Sequence, residues 1–206
     1  MSDIMMEGTA SKTPLELEEA MDELGASIRM STSKETISLS ANGLKSRAGE
    51  LVGLAREILL EPRWDETEFA RIQDETVETI NRQLVNPGAV AANVFNKLAY
   101  GENSILGQST LGTAESVQGI TMEDLKSFYD FYFSPSVSYI TVAGDITQAE
   151  AIELFRPLEE EWPARDVAGP GYPTPEPRDR AALYFVDIPG AQQSQLYVGH
   201  LALPRT

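Results

Sequence analysis

Apolar and polar positions change period once in the first forty residues, at Gly25. Before it, Leu15, Leu17, Ala20, Met21 and Leu24 recur at spacings of three or four, with Glu16, Glu19 and Glu23 between them. That pattern predicts an amphipathic helix. Thr13 and Glu16 have the spacing of a capping box, and Pro14 suits the first helical position, where no amide hydrogen is needed. After Gly25 the period drops to two. Ala26, Ile28 and Met30 alternate with Ser27, Arg29 and Ser31, and beyond a turn at 33–35 Ile37, Leu39 and Ala41 repeat the alternation, which predicts an antiparallel hairpin.

The same reading carries along the chain. Ser46 is placed to cap a helix bearing Leu51, Leu54, Ala55, Ile58 and Leu59, closed by Pro62. Asp65 and Glu68 open a long helix whose apolar positions, Phe69, Ile72, Val77, Ile80 and Leu84, are scattered over a charged surface until Asn86-Pro87-Gly88 ends it. A shorter helix follows over 89–100, then a loop over 101–112 and a helical turn over 113–117. Thr121 and Asp124 cap a helix whose Leu125, Phe128, Tyr129, Tyr132 and Phe133 form an aromatic stripe expected in the core. A strand is predicted over 137–143, a capped helix after Thr147, and two strands over 183–188 and 195–203. Prolines 163, 170, 173, 175 and 177 mark an extended linker. The expected organisation is an α+β domain over 1–162, a linker over 163–177, and strands over 178–206 that begin a further, incomplete half-domain.

Charge narrows the partners. Sixteen basic and 32 acidic residues give a formal net charge of −16, which opposes nucleic acid and anionic membranes. No window has the eighteen or so apolar residues of a membrane helix. The absence of cysteine removes disulfides and thiolate metal sites.

Several ordered landmarks carry a family resemblance. Glu7-Gly8-Thr9, Leu24-Gly25-Ala26, the run from Ile58 to Trp64, Glu68-Phe69, Tyr100-Gly101, residues 112–117, Ile120-Thr121, Phe128-Tyr129, Ser134-Pro135 and residues 142–146 together resemble the insulinase/pitrilysin-type (M16) zinc metallopeptidases. The resemblance implies an α+β fold with a mostly antiparallel sheet packed by helices, repeated in two halves that close around a peptide. It also implies zinc held by an H-x-x-E-H motif, whose glutamate activates water, with a later glutamate as third ligand.

This chain departs from that chemistry at three places. The motif should immediately precede Glu7, where residues 1–6 contain no histidine. The third-ligand position falls on Thr79, with Glu78 as the fallback; a one-residue shift turns a helical side chain by about 100°. Where catalytic copies carry Asn-Ala on the substrate-holding strand, this chain has Arg29-Met30.

No other arrangement replaces the missing motif. His200 is the only histidine and reads as structural or surface; Asp74, Glu75 and Glu78 read as a solvated helix face; Ser40 and Ser194 have no recognisable base arrangement. No catalytic residue and no metal ligand is assigned, and zinc is expected in a separate catalytic half.

The resemblance therefore implies the non-catalytic, C-terminal half of a two-half bacterial member, which helps to enclose and position a peptide for a zinc-bearing half, in the same chain or a partner subunit. Two alternatives stay open: a fragment of a catalytic copy whose motif lies upstream of Met1, and a purely structural processing-peptidase-like subunit. Ser27, Ile28, Arg29, Met30 and Ser31 are the candidate substrate-edge strand, equally open to being covered in a longer protein or to self-association through the exposed edge. A periplasmic or cell-envelope setting follows from bacterial relatives alone.

Overall fold

The computed structural model describes residues 1–169, 171–173, 175 and 180–202. These residues form two compact units, one of residues 1–72 and 120–169, the other of residues 73–119 and 170–206.

In the first unit, α1 (Ser2–Met5) precedes α2 (Pro14–Leu24), and the expected capping box is present: Thr13 accepts from the Glu16 amide, while the Glu16 carboxylate accepts from the Thr13 amide. Gly25 stops α2 in the left-handed conformation, φ 58° and ψ 38°, which glycine adopts without steric cost. The chain then enters β1 (Ser27–Thr32) and β2 (Ile37–Asn42), paired antiparallel with Ile28 opposite Ala41 and Met30 opposite Leu39. The expected hairpin forms, with Ile28 turned into the core.

Next comes a 3-10 turn (Lys45–Arg47) and α3 (Ala48–Leu60). Ser46 falls inside that turn and does not cap α3; Arg47 stands at its N-terminus without a side-chain capping bond. Instead the Arg47 guanidinium pairs with Glu50 and donates to the carbonyl of Glu23 at the end of α2. A cation there complements the exposed carbonyls of a helix C-terminus.

The core of this unit has two parts. Leu17, Leu24, Ile28, Leu51, Leu54 and Ile58 bring α2, β1 and α3 together. Ile4, Met5 and Met122 gather Met30, Leu59, Trp64, Phe69, Ile72, Leu125, Tyr129 and Phe133. Burying each large aliphatic side chain is worth about 1.5–3 kcal/mol, so these clusters, more than helix propensity, hold the unit.

The long helix α4 (Glu66–Leu84) starts at Asp65, whose carboxylate accepts from the amides of Thr67 and Glu68. The division between the units falls within it. In the second unit, α5 (Pro87–Tyr100) is capped by the Asn86 side chain, and α6 (Ala114–Gly119) follows a 3-10 turn (Ile105–Gly107).

The chain returns to the first unit with α7 (Met122–Tyr132) and α8 (Gln148–Glu161), both opened by the expected capping boxes, Thr121 with Asp124 and Thr147 with Glu150. The aromatic stripe on α7 divides. Tyr129 and Phe133 face the core, with Trp64 edge-on to Tyr129 at 5.5 Å, whereas Phe128, Phe131 and Tyr132 are exposed and stack on one another. A helix can present only one stripe to a single core, so aromatics at 128 and 132 cannot join those at 129 and 133.

The predicted strands at 137–143, 183–188 and 195–202 form no sheet ladder among the described residues, where β1 and β2 are the only paired strands; Leu203 lies outside them. A strand's backbone bonds are supplied by a neighbour, and apolar alternation alone supplies none. Residues 163–169 have no regular structure, and their path is fixed at Arg165: its amide donates to Ser134 Oγ at 2.9 Å, and its carbonyl accepts from the Ser134 and Ser136 hydroxyls. Linker residues 170, 174, 176 and 177 lie outside the described set.

Candidate functional site

The hairpin supplies a strand, β1, whose outer edge has no partner strand among the described residues. Its two-residue loop, Lys34-Glu35, is closed by the Ser33 amide donating to the Thr36 carbonyl at 2.8 Å. Alternation from that pair makes 31/38, 29/40 and 27/42 the hydrogen-bonded pairs of the ladder. Ile28, Met30 and Thr32 therefore turn their N–H and C=O groups to the opposite edge of β1, where no strand pairs among the described residues. The helix α1 meets β1 through inward-facing residues: Met30 packs near Ile4 and Met5, and the Thr32 hydroxyl donates to Ser2 Oγ at 3.0 Å.

The outward face of the hairpin is built from Ser27, Arg29 and Ser31 on β1 and Ser38, Ser40 and Asn42 on β2. All six are exposed, and Arg29 is the only charged residue within either strand. Of the predicted edge residues, Ser27, Arg29 and Ser31 are accessible, while Ile28 is 3% exposed and Met30 is half-buried.

Beside the hairpin, a latch fixes the run that should follow a zinc helix to α3. Thr9, fully buried, donates its hydroxyl to Glu57 on α3 at 2.5 Å; the Ser11 hydroxyl donates to the same oxygen, and Lys12 Nζ pairs with the other at 2.7 Å. Burial pushes the Glu57 carboxyl up, but the hydrogen bonds from Lys12, Ser11 and Thr9 and the lysine charge outweigh it and leave the group below its ordinary value. The backbone of the run bonds to the end of α3, Ala10 to Glu61 and Arg63 to Gly8, and Glu7 pairs with Arg71 of α4 at 2.5 Å. Gly8 has φ +105°, and a Cβ there would lie 2.5 Å from the Lys12 carbonyl oxygen, so only glycine fits. Glu57 and Arg71 escaped the sequence reading because their partners lie 48 and 64 residues away. The conspicuous Glu7-Gly8-Thr9 run was the available signal.

The residues do not fit a zinc ion. Thr79 Oγ1 accepts a hydrogen bond from Arg82 Nη2 at 3.0 Å, and Glu78, about three-quarters exposed, lies 3.9 Å from the same arginine. No group of three His, Cys, Asp or Glu side chains able to hold a metal occurs among the described residues, so Asp74, Glu75 and Glu78 do not converge on a cation. His200 is exposed, with Nδ1 at 2.7 Å from the carbonyl oxygen of Leu201. Ser40 lies on the open face of β2 and Ser194 is exposed. Among the described residues no helix is long and apolar enough to cross a membrane.

Residues 119–206 match the family described as "Peptidase M16 inactive domain". A curated relative named "Uncharacterized zinc protease YmxG", from Bacillus subtilis, is 26% identical over 146 residues, covering 71% of this chain and 36% of its own length. A solved structure of a peptidase M16 inactive domain from Pseudomonas fluorescens superposes with a TM-score of 0.78 at 22% identity, over 84% of this chain and 42% of that one. The periplasmic protease PqqL from Escherichia coli shares the fold with a TM-score of 0.70 at 20% identity, over 84% of this chain and 20% of that one. The chain spans about a third of the length of the curated relatives it matches. The ordered sequence landmarks, the inactive-domain match over residues 119–206 and the α+β fold all make this chain similar to the M16 metallopeptidases.

Proposed function

We propose that this chain is the non-catalytic half of an M16-type peptidase, a wall that encloses and positions peptide for a zinc-bearing half in the same polypeptide or in a partner subunit. The observation that carries the proposal is the single histidine: H-x-x-E-H needs two, and the chain's only one, His200, comes 191 positions after Thr9 in the sequence, whereas the motif should precede the Glu7-Gly8-Thr9 run. The latch and hairpin are intact beside that lost chemistry, so this region acts through shape and backbone. The outer edge of β1 is the element that meets the peptide, through the Ile28, Met30 and Thr32 backbone groups. A cell-envelope setting belongs to the same proposal and is supported by the likeness to a protein named a periplasmic protease.

The test is zinc content and fluorogenic-peptide cleavage by this chain alone and after mixing with an H-x-x-E-H-bearing M16 chain from the same organism. The expected result is no stoichiometric zinc and no cleavage alone, with faster cleavage by the mixture than by the zinc-bearing chain. Stoichiometric zinc with chelator-sensitive cleavage by the chain alone would overturn the proposal in favour of a catalytic fragment. A mixture no faster than the zinc-bearing chain would favour a purely structural subunit.

A further inference from the structure

We propose that the outer edge of β1 selects extended peptides carrying a carboxylate side chain, and that Arg29 makes the selection. This rests on the reading that the β1 edge receives peptide. The reason is local charge. In a chain of formal net charge −16, the hairpin's open face is a plain of serines and one asparagine from which a single cation rises, and Arg29 has no ion-pair partner among the described residues.

Strand geometry brings a guest side chain to that cation. A guest pairing antiparallel on the free edge exchanges backbone hydrogen bonds with Ile28, Met30 and Thr32, which leaves the position opposite Arg29 as a non-hydrogen-bonded pair. Directly opposite residues share a face, and their Cβ atoms stand about 4.5–5.5 Å apart, close enough for a glutamate to reach the guanidinium. The flanking Ser27 and Ser31 are short, so they leave room for the side chains two residues away on the guest and offer hydroxyl groups to polar ones. The opposite face of the strand is committed to the core through Ile28, so selection operates on alternate guest residues only. An arginine in this position also repels a lysine guest.

The experiment uses the chain with three fluorescein-labelled heptapeptides of alternating threonine and valine whose central residue is glutamate, glutamine or lysine. Anisotropy reads affinity, and the backbone amides of Ile28, Met30 and Thr32 are followed by NMR. The glutamate peptide should bind about threefold more tightly than the glutamine peptide at low ionic strength, with the difference shrinking in salt. Arg29→Gln should abolish that difference, and Arg29→Glu should favour the lysine peptide. Edge amides that respond equally to all three peptides, or a glutamate preference that survives Arg29→Gln, would overturn the role of Arg29 and leave the edge reading standing. Edge amides that respond to no peptide would overturn both readings. Edge amides whose shifts depend on protein concentration alone would assign the edge to a second copy and overturn the peptide assignment.

Discussion

Residues 27–42 and residues 183–198 are both rich in strand-forming side chains, yet they end in opposite states. In the first stretch Ile28 is 3% exposed and every residue of β1 has a partner on β2. In the second, Leu183 and Phe185 are 90% and 88% exposed and no ladder forms among the described residues. The hairpin has what the later stretch lacks: a partner strand a two-residue turn away, and Leu17, Leu51 and Ile58 from neighbouring helices beneath it. Sheet formation follows from available partners as well as from side-chain pattern.

The contrast is sharpened first by removing what lies under the hairpin. Ile58→Ala, at a fully buried position on α3, should cost about 3–4 kcal/mol and lower the urea midpoint accordingly. Gly8→Ala should cost about 2 kcal/mol in the same measurement, because the left-handed φ and the Lys12 carbonyl both reject a methyl group.

Glu57→Gln should cost about 1–2 kcal/mol near neutral pH and change the pH dependence of Tm. Because folding lowers the Glu57 pKa, its contribution is present above the unfolded-state value and is lost as pH falls through the depressed folded value. The variant should therefore show a flatter acid limb, and an unchanged limb would contradict the latch.

Thr13→Ala, which removes one capping box, should cost about 1 kcal/mol. The smallest effect belongs to the other member of the comparison: Phe185→Ser should change the urea midpoint by less than about 0.5 kcal/mol while improving solubility. A loss of 2 kcal/mol or more there would break the comparison, since it would mean that the segment is covered in solution.

Local signals were legible wherever both partners lie within a few residues. The three Thr-led capping boxes and the Gly25 stop follow from hydrogen bonds closed within one turn. Ser46 misled because a 3-10 turn takes it inside the element it was expected to cap. Phe128 and Tyr132 misled because an aromatic stripe gives no indication of how many of its members a core can accept.

The candidate edge was legible as a strand, with Arg29 visible where the resemblance led one to expect an Asn-Ala pair. That Arg29 stands alone on a face of small polar groups required the register, in which Ser31 meets Ser38 and Arg29 meets Ser40. Taken alone, the sequence determined most of the helices, the three Thr-led capping boxes, the first hairpin, the net charge and the single histidine, because each is written in composition or in contacts a few residues long. Tertiary structure alone decided that Glu57 and Arg71 anchor the Glu7-Gly8-Thr9 run, that Thr79 accepts a hydrogen bond from Arg82, and which backbone edge has no partner strand among the described residues. The anchor and the open edge depend on groups far apart in the chain, and the state of Thr79 on which rotamer its neighbours select; spacing along a sequence specifies neither.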